Sequence, residues 1–318
     1  MPRPHLLVIA ALGLGPLTGG PLAAQRLTHP SAAVYRRIPS TGHPYGVTID
    51  RAGIVYVSQV NAGQLVRVPF DATSEPQVTD IGSQPPHVVV EPDGRSVFAT
   101  LQGGRAVIRI DTESGRTIDS VPLGSDGFNL ALDPDGVHLV ATAAAGWAYR
   151  LTRSPLRILD SAWVGLAPNG VTFDGPAHRV YVSSRDSGSV TALDSRDLST
   201  VAHWAVGGAP QRIALSRTGK FLFVADESAG GGIKRIDTRS GAIRSVPMEG
   251  TPYGLGVTPD GARLWVLLRD RGTVQVLRLP DLTPVTEVDV GGRPRNIAFN
   301  RRGDHAAITT ETAVVLLR

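Results

Sequence analysis

Apolar residues run through this chain in short bursts of about five, each bounded by Gly, Pro, Asp, Asn or Ser, and the bursts recur at a fixed interval. Pro44-Tyr-Gly-Val-Thr-Ile-Asp50, Pro168-Asn-Gly-Val-Thr-Phe-Asp174 and Pro252-Tyr-Gly-Leu-Gly-Val-Thr258 are plainly alike. Pro85 to Glu91, Pro210 to Ser216 and Pro294 to Asn300 share the pattern, and Gly127 to Asp133 follows it with Gly in place of Pro. The seven anchors, at 44, 85, 127, 168, 210, 252 and 294, are 41 or 42 residues apart. A period of this length marks a repeat architecture in which each unit is one supersecondary element.

Every unit is punctuated in the same way. An apolar strand follows the anchor, then a turn such as Pro92-Asp-Gly94, Pro134-Asp-Gly136 or Pro259-Asp-Gly261. A second strand (Val180 to Ser183, Phe221 to Ala225) and a third ending in Asp (Val107 to Asp111, Val190 to Asp194) come next. A fourth strand leaves through Gly, as in Val201 to Gly207. Four strands of ordinary length with four short turns account for the period. No window sustains a 3.6-residue repeat, so helix is expected to be minimal. In the first strands, positions three and five after the anchor are bulky (Val47, Ile49; Leu255, Val257; Ile297, Phe299), whereas position four is mostly small (Ala214, Gly256, Ala298). Alternation with period 2 therefore gives each sheet one bulky and one small face, suited to stacking about a crowded axis.

These patterns predict an all-β, seven-bladed β-propeller with four antiparallel strands per blade. The last unit holds only three strands before Arg318, while Ala33 to Pro39 resembles a fourth strand standing ahead of the first anchor. The N-terminal strand is thus expected to complete the seventh blade and close the ring, which removes exposed sheet edges.

Ahead of this strand, Arg3 and His5 precede an apolar run from Leu6 to Leu17, followed by Thr18, Gly19, Gly20 and Pro21, then Leu22-Ala-Ala24. This is the layout of a secretory signal peptide, expected to span 1–24 with cleavage after Ala24. The run is too short for a transmembrane helix, and no transmembrane segment is expected in the mature chain. The propeller would occupy 25–318, which is 294 residues or seven units of 42. The protein is expected to be exported, periplasmic or extracellular, and monomeric. The 318 residues contain no Cys, which excludes disulfides, thiolate catalysis and a Cys-linked lipid anchor. The calculated pI of about 9.7 comes from scattered Arg interleaved with Asp and Glu, so no nucleic-acid partner is expected.

The unit reads approximately as Pro-x-x-apolar, Pro-Asp-Gly, aromatic-Val-Thr-Asn, then Val-x-x-Ile-Asp-Thr. Tyr56-Val-Ser58, Tyr181-Val-Ser183 and Phe223-Val-Ala225 fill the aromatic element. Over essentially the whole of 25–318 this resembles the YVTN family of β-propeller repeat proteins. Propellers related to that family include virginiamycin B lyase-like proteins, gluconolactonase-type lactonases and subunits of amine dehydrogenases. The name-giving Asn is replaced by Gln59, Leu101, Ala143, Ser184, Asp226, Leu268 and Thr310, so no role resting on it carries over.

The loops entering the first strands and leaving the second strands are expected on one face, around the channel mouth. One residue past the anchors stand Tyr45, Pro86, Phe128, Asn169, Gln211, Tyr253 and Arg295, and two past stand Gly46, His87, Asn129, Gly170, Arg212, Gly254 and Asn296. Aromatic and amide groups around a concave mouth suit a small polar ligand. Arg185, Glu227, Arg269 and Glu311 occupy equivalent positions in four successive units with alternating sign, which predicts ion pairs between blades. Together with Asp226 and Asp270 they are also candidates for a polar pocket. The candidate ligand or partner face is therefore Tyr45, His87, Asn129, Arg212, Asp226, Glu227, Tyr253, Arg269, Asn296 and Glu311. His138, His178 and His305 are expected in solvent on the opposite face. No nucleophile–base motif or phosphate loop is present. Catalytic residues are not identifiable, and no cofactor or metal is predicted. The expectation is a non-enzymatic module binding a protein partner or small polar ligand at the channel face. A metal-assisted lactonase or lyase using the same face is the alternative, drawing on Asn129, Asn296 and the carboxylates.

Overall fold

The computed structural model describes residues 32–318 except 72, 73 and 135. The expected signal peptide, 1–24, lies outside the described residues. The first blade is an antiparallel meander of β2 (Pro44–Ile49), β3 (Ile54–Gln59), β4 (Gln64–Pro69) and β5 (Gln77–Asp80). Five more blades repeat it as β6–β9 (87–122), β10–β13 (127–163), β14–β17 (168–205), β18–β21 (210–246) and β22–β25 (252–289). The seventh is built from both ends of the chain. Its inner strands are β26 (Asn296–Phe299), β27 (Ala306–Thr309) and β28 (Ala313–Leu317), and β1 (Val34–Pro39) pairs antiparallel with β28. The fold is a seven-bladed β-propeller, and no helix occurs among the described residues.

The core lies between blades. Ile38, Val314 and Leu316 of the seventh blade pack with Val47, Val55, Val57 and Val66 of the first. Trp265 and Val276 of the sixth blade join Ile308, Val315 and Leu317 of the seventh. The expected bulky-against-small stacking occurs at Gly256, where an added Cβ would meet Phe299 at 3.0 Å and Ile297 at 3.1 Å. A side chain there would force two blades apart.

Polar groups fix the strand ends. In several blades a polar side chain at the end of the first strand holds the following turn. Asp50 Oδ1 accepts from Ala52 and Ile54 N–H, both at 2.9 Å, and Asn300 Oδ1 accepts from Gly303 N–H at 2.9 Å. At the other end a column of hydroxyls on the second strands latches blade to blade. Ser183 Oγ accepts from Gly170 N–H (2.9 Å) in its own blade and donates to the Gln211 carbonyl of the next. Thr309 Oγ1 accepts from Asn296 N–H (3.3 Å) and donates to the Tyr45 carbonyl at 2.5 Å, so the latch crosses the closing seam. Ser58, Thr100 and Thr142 occupy the same position, whereas blades five and six carry Ala225 and Leu267 there. Each latch occupies buried backbone groups that would otherwise cost about 1–3 kcal/mol unpaired.

Closure through β1 yields a direct prediction. Deleting residues 25–40 leaves β28 with an unpaired edge and uncovers Val314 and Leu316. The truncated protein is expected to aggregate and to lose its cooperative melt. A monomeric elution profile with an unchanged Tm would contradict the ring-closing role.

Candidate functional site

The first strands deliver their leading side chains to one end of the channel. Tyr45 and Tyr253, from the first and sixth blades, meet there through a hydrogen bond between their hydroxyls, and both are buried. Phe128 stands edge-on to Tyr45, with ring centroids 6.3 Å apart and planes at 84°. Burial, then the neighbouring Tyr45, raises the Tyr253 phenol well above the ordinary tyrosine range, so it stays protonated. The two hydroxyls close a hydrogen-bonded lid, in which Tyr253 is not a source of phenolate.

Arg212 lies under this aromatic layer. Its guanidinium carbon is 5.7 Å from the Tyr45 ring centre and 5.8 Å from that of Phe128, and Nη1 donates to the Asn169 carbonyl at 3.0 Å. Contacts to blades one, three and four place the group close to the channel axis. It is 6 % exposed and among the described residues makes no ion pair, while Nε and Nη2 have no hydrogen-bond partner there. Two cation–π contacts contribute about 0.5–2 kcal/mol each, which offsets only part of the several kcal/mol that burying an unpaired charge costs. His87 also sits within the channel, partly reachable by water yet surrounded by protein. Burial first, then Arg212, holds its imidazole well below the ordinary value, so it is neutral near pH 7. Its Nδ1 is unpartnered.

Charges rim the mouth. Glu227 Oε1 lies 2.8 Å from Arg185 Nε, and its Oε2 lies 3.7 Å from Arg269 Nη1, which joins blades four, five and six as the alternation of sign predicts. The chain of charges stops there. Glu311 pairs within its own blade, with Arg295 Nη2 at 2.9 Å and Arg293 Nε at 3.7 Å. The reason is Arg295 itself, whose buried guanidinium lies 5.2 Å from the Tyr45 ring centre and draws the carboxylate inward. Arg269 turns its guanidinium over the Tyr253 ring at 4.9 Å. Tyr45, Phe128, Asn169, Arg185, Arg269 and Arg295 are among the residues lining a depression of about 410 Å³.

The candidate residues thus separate into groups. Tyr45, Tyr253, Glu227 and Arg269 line the depression. His87 and Arg212, expected around the mouth, are not among the residues lining the depression, and Arg212 packs its guanidinium against the Tyr45 and Phe128 rings. Asn129 and Asn296 were candidate metal ligands, but they tie blades together through Nδ2, to the Asn169 carbonyl and to the Tyr45 carbonyl (2.8 Å) respectively. Asp226 was a candidate pocket group. It is 1 % exposed, accepts from Ala209 N–H (2.9 Å) and Ser228 Oγ (2.6 Å), and lies 3.3 Å from Lys234. Burial pushes its carboxyl up, but the bonds from Ser228, Ala209 and Lys234 outweigh it and the net shift is downward. Asp270 likewise accepts from Thr251 N–H at 2.7 Å. A hard cation requires several converging oxygens, and among the described residues no three His, Asp or Glu side chains converge. On the opposite face His178 is exposed, whereas His305 is not simply in solvent. It stacks on Phe70 with ring centroids 4.0 Å apart.

Sequence reasoning missed the hydroxyl latch and the charge of Arg295, although both were legible. The latch is a column of Ser or Thr 14 or 15 residues past the anchor in five units, and Arg295 occupies the same column as Tyr45 and Tyr253.

No family model matches the chain, and no curated protein does. Solved structures do. Hydrazine synthase of Kuenenia stuttgartiensis superposes with a TM-score of 0.79 at 15% identity, covering 87% of this chain and 96% of that one. A streptogramin B lyase gives 0.75 at 15% identity, covering 89% and 96%. The Cps50 (Swd1) β-propeller domain from Myceliophteria thermophila gives 0.74 at 12%, covering 90% and 98%. At such identities the likeness establishes the propeller and leaves the chemistry to the site.

Two predictions follow from the rim and the channel. Reversing Glu227→Arg should cost no more than about 1 kcal/mol, because Arg185 is 44% exposed and solvent screens the pair. A double-mutant cycle should give a larger coupling for Glu227 with Arg185 than with Arg269, following the two distances; equal or zero couplings would refute the bridging role. The neutral His87 makes stability depend on acidity. Its folded value lies below the unfolded one, so the unfolded state gains a proton first and stability falls as pH drops through about 6.5. His43, also lowered by burial and then Arg295, acts in the same direction. The Tm should decline between pH 7 and pH 5, with a shallower decline in His87→Asn. Identical profiles would place the loss elsewhere.

Proposed function

We propose that this protein is an exported, monomeric, YVTN-type β-propeller that binds a protein partner or small polar ligand at its channel mouth and performs no chemistry of its own. One observation carries the reading. The mouth presents aromatic faces and guanidinium groups around a depression of about 410 Å³, while the groups that would act as bases or metal ligands are engaged in holding loops and blades. Arg185, Arg269 and Arg295 outnumber Asp126 and Glu227 along the lining, so an anionic or hydrogen-bond-accepting partner is favoured. Export rests on the basic start, the short apolar run and the small residues before Gln25.

A thermal-shift screen of the purified protein against small carboxylates, sugars, lactones and divalent cations tests the reading. At least one polar compound is expected to raise the Tm, with the shift lost in Arg269→Ala. Metal-dependent turnover of a lactone or a lyase substrate would overturn it in favour of an enzyme. N-terminal sequencing of protein recovered from the cell envelope or medium should begin at Gln25. An N-terminus at Met1 would overturn export.

A further inference from the structure

We propose that the closed end of the central channel is a binding site for a small monovalent anion, held by the free edge of the Arg212 guanidinium. The site lies beneath the mouth, and the inference stands whether or not the mouth binds a partner.

Three observations converge. The first is the geometry of the free groups. Nη1 of Arg212 is occupied by the Asn169 carbonyl, while Nε and Nη2 are buried and unpartnered. These two nitrogens form the side-on edge of a guanidinium, whose parallel N–H groups donate to a carboxylate-like pair of oxygens or to a single halide. The second is charge. Arg212 and Arg295 are the buried cations among the described residues. Arg295 has Glu311 at 2.9 Å, whereas Arg212 has no carboxylate. A buried charge needs a partner, and no side chain supplies it. His87 adds an unpartnered Nδ1 close enough for its acidity to respond to Arg212. Asn169 Oδ1, also unpartnered, would be satisfied by a water accompanying the anion.

The third observation is access. Along the first strands of blades five, six and seven the side chains near the mouth are buried, whereas those farther down are half-exposed. Gln211, Arg212 and Ile213 give way to Ala214 and Leu215, and Tyr253 to Leu255 give way to Gly256 and Val257. Asn296 gives way in the same manner to Ile297 and Phe299. The channel is therefore a tube entered from the turn end and stopped at the other by Arg212 under its aromatic lid. Its walls are largely apolar, so an ion must shed water to enter. Multivalent phosphate or sulfate is disfavoured by that dehydration, and chloride, bromide, nitrate or formate is favoured.

Crystals of the full mature chain soaked in sodium bromide test this directly. An anomalous peak within hydrogen-bonding distance of Arg212 Nε and Nη2 is expected. Water alone at that edge would overturn the proposal. In solution, exchanging fluoride for bromide or formate at constant ionic strength should raise the Tm saturably. The bromide rise should vanish in Arg212→Gln and persist in Arg185→Gln, at the rim of the mouth away from the tyrosine pair. A saturable rise of equal size in Arg212→Gln would also overturn the proposal. Should Arg212→Gln fail to fold, the bromide density in the unaltered protein decides the question.

Discussion

The pairing of β1 with β28 is the constraint on which the rest of this structure depends. Each blade buries its faces only against its neighbours, so an open row of seven would leave two apolar faces and a strand edge to water. Borrowing the fourth strand of the last blade from the other end of the chain joins first and last, and Ile38 carries the seam into the core between blades seven and one. In a chain without Cys this interlock takes the place of a covalent staple. The Thr309 latch to the Tyr45 carbonyl works at the same seam from the channel side.

Closure also creates the chemistry of the channel. Seven first strands converge on one axis, and side chains that are far apart in sequence are forced together at its end. Tyr45 and Tyr253 touch across 208 residues because the ring brings blades one and six to the same mouth. Arg212 is driven inward by the same crowding, where aromatic faces receive it but no carboxylate does. The rim is different in kind. Its arginines and acids pair at the edge of solvent, contribute little to stability, and leave the depression with an excess of positive charge.

The sequence carried the fold because a propeller repeats one local solution. Strand length, turn chemistry and bulky-small alternation are properties of about 42 residues read seven times, and the three-strand last unit with a spare strand ahead of Tyr45 declared the closure. The ion pairs from Arg185 through Glu227 to Arg269 were legible for the same reason, since equivalent positions in successive units must be neighbours. The family likeness seen in the aromatic-Val-Thr pattern reaches the propeller in the solved structures and no further.

What the chain alone could not decide lies where side chains leave their own blade. Glu311 was placed by period beside Arg269, yet it bonds to Arg295, because a buried guanidinium in its own blade competes for it. Asn129 and Asn296 read as free amides around a mouth, and Asp226 as a pocket acid. Only the closed ring shows that backbone carbonyls and N–H groups of adjacent loops claim them first. Arg212 and His87 share a column with glycines, and nothing in that column says how far a long side chain will reach. Local periodicity determines which residues belong to the channel. Which of them meet across it, and which remain without a partner, is set by distances between blades that no single repeat contains.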